Sequence, residues 1–136
     1  MYPAELVKPM REDLTNVGFK ELHSVADVDA AIEKDGTTLV VVNSVCGCAA
    51  ANARPGARMS LQNSKTPDHL VTVFAGVDKD ATEKAREYMV PFPPSSPCMA
   101  LFKDGELVHM LERHHIEGRP AEMIADNLIS AYNEFC

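Results

Sequence analysis

Leu39-Val40-Val41-Val42-Asn43-Ser44-Val45-Cys46-Gly47-Cys48-Ala49-Ala50-Ala51-Asn52 is the stretch whose reading decides the fold. Its apolar run is continuous rather than alternating, which suits a central strand covered on both faces. The run ends in two cysteines one residue apart, and an alanine-rich helix start follows. A helix N-terminus carries unpaired backbone N–H groups and a positive dipole end, and both favour thiolate over thiol. The stretch therefore predicts a strand, a tight turn and a helix, with two thiols placed where at least one pKa falls.

Outward from this unit, periodicity and breakers predict the remaining elements. Residues 4–17 read as a helix with Leu6, Met10 and Leu14 on one face, kinked or split at Pro9 and ended by Gly18. Residues 19–22 read as a short strand. Ser24 caps a second helix with Val25, Val28 and Ile32 as its stripe and Asp27 at its third position, and Gly36 stops it. The central strand is expected over 38–43, and the helix after the motif over 49–62, bent at Pro55. A second buried strand follows at 70–76, then a helix at 81–89 opened by an Asp80/Glu83 capping box. Pro91-Phe92-Pro93-Pro94-Ser95-Ser96-Pro97 forms a rigid loop. Strands at 98–102 and 106–113 are joined by Asp104-Gly105, a hairpin signal, and a helix closes the chain at 120–135. Helices between strands demand parallel crossovers, and the hairpin adds an antiparallel edge. The expected architecture is one α/β domain over residues 1–136, a mixed central sheet flanked by helices, with an extra N-terminal helix. Sites in such sheets form at the carboxyl ends of strands, where Cys46-Gly47-Cys48 stands.

Composition narrows the function. A chain of 136 residues permits a real core, and no stretch approaches the ~18 apolar residues of a membrane span. The start shows no basic region followed by an apolar run, so a cytoplasmic protein is the default expectation. Four cysteines are too few for a disulfide scaffold, and a net charge of −7 argues against nucleic acid as a partner. There is no Gly-rich phosphate loop, repeat or linker.

A dithiol at a strand-to-helix turn, a proline inside that helix and a later Ser-Pro before a hairpin resemble the thioredoxin fold. Beside these stand Met1-Tyr2-Pro3, Cys46-Gly47-Cys48-Ala49 with Arg54-Pro55-Gly56, Pro93-Pro94-Ser95-Ser96-Pro97, Phe102-Lys103-Asp104-Gly105-Glu106-Leu107-Val108, and the helix ending at Cys136. On those residues the chain more closely resembles the bacilliredoxin A/B family, across essentially its whole length. The resemblance implies removal of the low-molecular-weight thiol bacillithiol from mixed disulfides on client proteins, with weak disulfide isomerase or reductase activity. It implies Cys46 as the attacking thiol, Cys48 as the second thiol and a cis-Pro97 facing them. A cis bond there would leave the Ser96 backbone to pair with an extended client or the small thiol, with Gly47 completing the substrate-binding turn. Cys98, directly after that proline, departs from the pattern and stands as a third-thiol candidate.

The chemistry agrees with this assignment. The thiolate is the nucleophile in disulfide exchange, and Cys46 sits where the helix terminus acts most strongly. Cys48 lies further in and is expected to resolve or support. No cofactor is implied beyond the pair itself; an external thiol or reductase recycles Cys46. A Cys-X-Cys disulfide closes a small ring that strains the preferred dihedral, so the pair is expected to be readily reduced, with Gly47 relieving some strain through unusual backbone angles.

Blander readings stand beside these. Two buried structural cysteines are common in cores. Cys98 begins a strand and reads either as core or as an alternative resolving thiol. Cys136 reads as an unreactive terminal thiol or an intermolecular one. His114-His115 reads as a solvated loop pair. Asn43 and Ser44 cap the turn or bond a thiolate, and Arg54 and Arg58 are surface charges or hold an anionic thiol ligand. Two rival classes complete the field: a soft-metal (zinc or copper) protein using Cys46, Cys48 and Cys98, perhaps with His114 or His115, and an interaction module with dormant thiols.

Overall fold

A computed structural model describes residues 2–136; Met1, part of the N-terminal motif, lies outside the described residues. The chain forms α1 (Ala4–Thr15), β1 (Lys20–Glu21), α2 (Val25–Ile32), β2 (Thr37–Asn43), a π turn (Ala49–Ala53), α3 (Arg54–Ser60), β3 (His69–Phe74), α4 (Lys79–Glu87), β4 (Cys98–Lys103), β5 (Glu106–Leu111), α5 (Arg113–Ile116) and α6 (Ala121–Phe135). The strands make one sheet in the order β1-β3-β2-β4-β5. β1 and β2 lie parallel to β3, β4 runs antiparallel to β2, and β5 antiparallel to β4. The mixed sheet expected from the element order is present, with the apolar run at its centre.

Every residue of β2 is buried, because helices cover both sheet faces. Leu39 and Val41 point into a core with Ala53, Ala57, Met99, Leu101, Ile124, Leu128 and Tyr132. Val40 and Val42 point the other way, against Val28, Ile32, Val73, Ala81, Ala85 and Met89. On the first face α3 and α6 approach so closely that a Cβ on Gly56 would fall 2.6 Å from Ile124 Cγ2. The hairpin turn is as the sequence predicts. Asp104 and Gly105 both take positive φ, 50° and 83°, the requirement that an Asp-Gly pair meets at least cost.

Several local expectations are corrected. Pro9 sits inside α1 without splitting it. The buried residues of α1 are Val7 and Leu14, while Leu6 is exposed, so the apolar stripe is rotated by one position. In α2, Val28, Ala31 and Ile32 are buried and Val25 is exposed. α4 begins at Lys79 with Asp78 before it, not at an Asp80/Glu83 box. The Asp78 carboxylate is drawn instead to Arg11 at 3.0 Å and His23 at 3.2 Å. The bend expected at Pro55 is replaced by the π turn ahead of it. There the N–H of Arg54 reaches back five residues to the Ala49 carbonyl. Pro55, which has no N–H to donate, enters the first turn of α3, where none is needed. His114 and His115 lie in α5 rather than a loop. Glu112 and His115 form a reciprocal capping box at its start. Among the described residues no helix is long and apolar enough to cross a membrane.

Candidate active site

The dithiol stands at the carboxyl end of β2. The Cys46 carbonyl accepts the first two bonds of the helix that follows, from Ala49 N at 3.0 Å and Ala50 N at 3.3 Å. Cys46 is thus the last residue before the helix, and its thiol meets the unpaired N–H groups of that end. All four cysteines are free thiols; Cys46 and Cys48 are partly exposed, Cys98 is buried and Cys136 exposed.

The two motif thiols are driven apart. Burial alone would raise the pKa of Cys46. The Cys48 thiol, the Ser44 hydroxyl and the N–H groups of Ala49 and Cys48 surround its sulfur and favour the charged form, and the net effect is a pKa below the ordinary thiol value. Cys48 moves up. Burial raises it, the bond its own thiol gives to Cys46 raises it further, and repulsion from a Cys46 thiolate adds to both, against a smaller attraction from Arg113. One thiolate forms readily, and its neighbour keeps its proton to stabilise it.

A buried network sets the floor of this turn. Arg54 lies in α3 with its side chain almost wholly buried. Its Nε donates to Asp13 Oδ2 at 2.9 Å, and its Nη1 to both Asn43 Oδ1 and the Ser44 carbonyl at 2.9 Å. Asn43 Oδ1 also accepts from Ser44 N at 2.9 Å, and its Nδ2 donates to the Met10 carbonyl at 3.0 Å. Ser44 Oγ in turn accepts from Cys46 N at 3.2 Å. The chain of bonds runs from α1 through the end of β2 to the nucleophile. Arg54 is therefore not a surface charge, and it faces no ligand. Arg58 differs: it is exposed and makes one bond, to the Asp13 carbonyl at 2.8 Å, as a surface charge does.

Gly47 takes no positive φ. A Cβ built on it would meet nothing within 4 Å, so in the dithiol state its bareness leaves open space at the turn.

Opposite the turn is the proline loop, where Ser96–Pro97 is cis; Val90–Pro91 is cis as well. Ser96 and Cys46 line one pocket of about 330 Å³ together with Tyr2, Gly76, Arg86 and Arg113. Arg113 Nη1 donates to the Ser96 carbonyl at 3.2 Å, its Nε to Glu117 at 2.9 Å, and its backbone N–H to Ser95 Oγ at 3.3 Å. Arg86 Nη2 donates to the Ser95 carbonyl at 3.3 Å. Reading by sequence passed over both arginines. They sit on α4 and α5, far apart in the chain, and no local motif joins them.

Cys98 does not line this pocket; it is packed in the core beneath α2 and α4. Burial pushes its thiol up to about 11, against the pull of Arg86 and a bond from Ser95. A thiol held protonated in a core is a poor nucleophile. The three-cysteine metal set is not assembled among the described residues. There the cluster close enough to hold an ion is Glu112, His114 and His115, with ligand atoms within 4.8 Å of one another. His115 Nδ1 already accepts the Glu112 N–H at 3.0 Å.

Comparison with known proteins gives the family and the fold. The family described as "Disulphide isomerase" matches residues 2–136. A bacilliredoxin of Cytophaga hutchinsonii is 61% identical over 98% of this chain and 99% of its own length. A bacilliredoxin of Halalkalibacterium halodurans is 57% identical over 99% of this chain and 94% of its own. Among solved structures, mitochondrial thioredoxin 3 of Saccharomyces cerevisiae in its oxidized form superposes with a TM-score of 0.58. That match covers 90% of this chain and 98% of that one at 19% identity, which shows a shared thioredoxin fold.

Proposed function

The chain belongs to the bacilliredoxin family of thiol–disulfide oxidoreductases, and from that premise we propose that it removes a low-molecular-weight thiol of the bacillithiol type from mixed disulfides on client proteins. The observation that carries this reading is the split between two adjacent thiols, Cys46 lowered and Cys48 raised, at a pocket open to solvent.

The Cys46 thiolate attacks the small thiol's sulfur in the client's mixed disulfide. A bond forms between Cys46 and that sulfur, the client's S–S bond breaks, and the client sulfur leaves with the electron pair as a thiolate. The N–H groups of Cys48 and Ala49, the Ser44 hydroxyl and the Cys48 thiol hold the attacking charge. Cys48 then either waits for an outside thiol to clear Cys46 or displaces the small thiol itself, closing a disulfide that a separate reductase opens. S-thiolated clients, the small thiol and that reductase are the partners of this cycle, which runs in a reducing compartment such as the cytoplasm. Disulfide isomerisation is a second reading, favoured by the description of the matching family.

Mass spectrometry after mixing the reduced protein with an S-thiolated client tests the proposal. The expected product is a small-thiol adduct on Cys46, absent in Cys46→Ser, together with released client thiol. An adduct on Cys98, or an unchanged client, would sink it.

A further inference from the structure

We propose that the pocket beside Cys46 is an anion subsite, in which Arg86 and Arg113 hold a carboxylate or phosphate group carried by the small thiol that Cys46 removes. This rests on the dethiolation reading above and adds to it the chemistry by which the thiol is recognised.

Three observations carry the proposal. The first is charge. The chain has 20 acidic and 13 basic residues and a net charge of −7, yet the pocket wall holds two arginines and no carboxylate. An anion approaching the molecule is repelled on average and attracted here, which is how a site selects by field. The second is donor accounting. A guanidinium offers five N–H donors. Arg113 gives one to the Ser96 carbonyl and one to Glu117, and Arg86 gives one to the Ser95 carbonyl. Arg86 Nε is buried and has no partner among the described residues. That N–H is out of the solvent's reach, so a ligand in the pocket meets the remaining Nη N–H groups of the two forks instead. The same bonds to Ser95 and Ser96 hold both forks against the loop, which lowers the ordering cost of binding. The third is size. About 330 Å³ lies at the small end of ligand sites, room for the charged portion of a small thiol.

The subsite is tested by competition among symmetrical disulfides of different charge. Reduced full-length protein is mixed with the disulfides of mercaptosuccinate, phosphopantetheine, 2-mercaptoethanol and cysteamine: dicarboxylate, phosphate, neutral and cationic. Salt is kept at about 20 mM, where screening is weak. In each reaction one S–S bond of the probe breaks, one forms to Cys46, and one thiolate leaves. The readout is the rate of adduct formation on the Cys46 peptide.

At least one anionic probe should react about tenfold faster than the cationic one, against the trend a net charge of −7 would impose. Whichever anionic arm is faster identifies the group the subsite reads. Arg113→Gln and Arg86→Gln should each pull the anionic-to-cationic ratio toward one, whatever they do to absolute rates, and Arg86→Lys should retain more of it. Lys103→Gln, in the register opposite Thr37 at the far end of β2, should leave the ratio as it is. Equal rates for all four probes, or a ratio that survives both arginine substitutions, would overturn the subsite and leave dethiolation standing. Absence of a Cys46 adduct with every probe would overturn both.

Discussion

The floor and the wall of the Cys46 pocket are both built around arginine, and the two use it in opposite ways. On the floor, the Arg54 side chain is 4% exposed and gives its bonds to Asp13, Asn43 and the Ser44 carbonyl. On the wall, the Arg113 side chain is 45% exposed and pairs with an exposed glutamate and one carbonyl. Near Arg113, Arg86 gives a single bond, from Nη2 to the Ser95 carbonyl. A guanidinium whose acceptors are all internal can only position its neighbours. One with donors to spare in a cavity can meet a ligand. Residue type alone therefore does not assign a role; the count of satisfied donors does.

The sharpest way to break this contrast is to remove the floor. Arg54→Ala takes away three hydrogen bonds made by a buried charge. Bonds to charged groups contribute about 1.5–3 kcal/mol each, and the acceptors left behind recover part of that from one another or from water. The half-exposed Asp13 carboxylate is re-solvated at little cost. A net loss of about 3 kcal/mol is expected, read as a lower denaturation midpoint with an unchanged slope. Arg54→Lys should recover little, since one ammonium cannot reach three acceptors held in a planar fan. A loss below about 0.5 kcal/mol for Arg54→Ala would place Arg54 with the surface arginines after all.

What was legible in the sequence follows from the range of the forces involved. The central strand was legible because Leu39–Val42 is a continuous β-branched-rich apolar run that ends at a turn, the pattern of a strand covered on both faces. Asp104-Gly105 was legible because the φ requirement is local to those two residues. Cys46 and Cys48 were legible as a site because strand, turn and helix start are consecutive. The roles of the arginines were not, because Arg54 meets Asn43 across 11 positions and Arg113 meets Ser96 across 17. The α1 stripe was misread for a related reason. Leu6, Val7, Met10 and Leu14 offer two overlapping apolar faces, and the sheet, not the helix, selects Val7 over Leu6. Asp80 and Glu83 have the spacing of a capping box, but the cap position goes to Asp78, whose carboxylate is claimed by Arg11 from 67 residues away.

Ser44 is where the floor reaches the chemistry, so it offers a finer test. Its hydroxyl accepts the Cys46 N–H at 3.2 Å and is one of the groups that lower the Cys46 pKa. Ser44→Ala removes a donor to the thiolate and should raise the Cys46 pKa. The sign is then fixed: at pH 7 a smaller fraction is ionised, and alkylation of Cys46 slows. About fivefold is expected, the worth of one hydrogen bond of ordinary strength. The pH profile of iodoacetamide labelling should shift to higher pH, and the rates of variant and parent should converge once both are fully ionised. An unshifted profile would remove Ser44 from the thiolate's environment and leave it a backbone anchor only.

The smallest effect is expected on the wall, and its smallness is the informative part. Arg113→Gln deletes an exposed pair with Glu117 and a bond to the Ser96 carbonyl. Exposed i,i+4 pairs contribute about 0.3–0.5 kcal/mol, and the freed carbonyl can turn to water. The denaturation midpoint should therefore move by less than the equivalent of about 0.5 kcal/mol, roughly a sixth of the Arg54→Ala effect. A larger loss would mean that Arg113 braces the proline loop as Arg54 braces the dithiol turn. Floor and wall would then be two halves of one scaffold, and the open donors of Arg113 an accident of the surface. A loss within the stated bound leaves those donors unclaimed by folding, which is the condition a ligand-reading arginine has to meet.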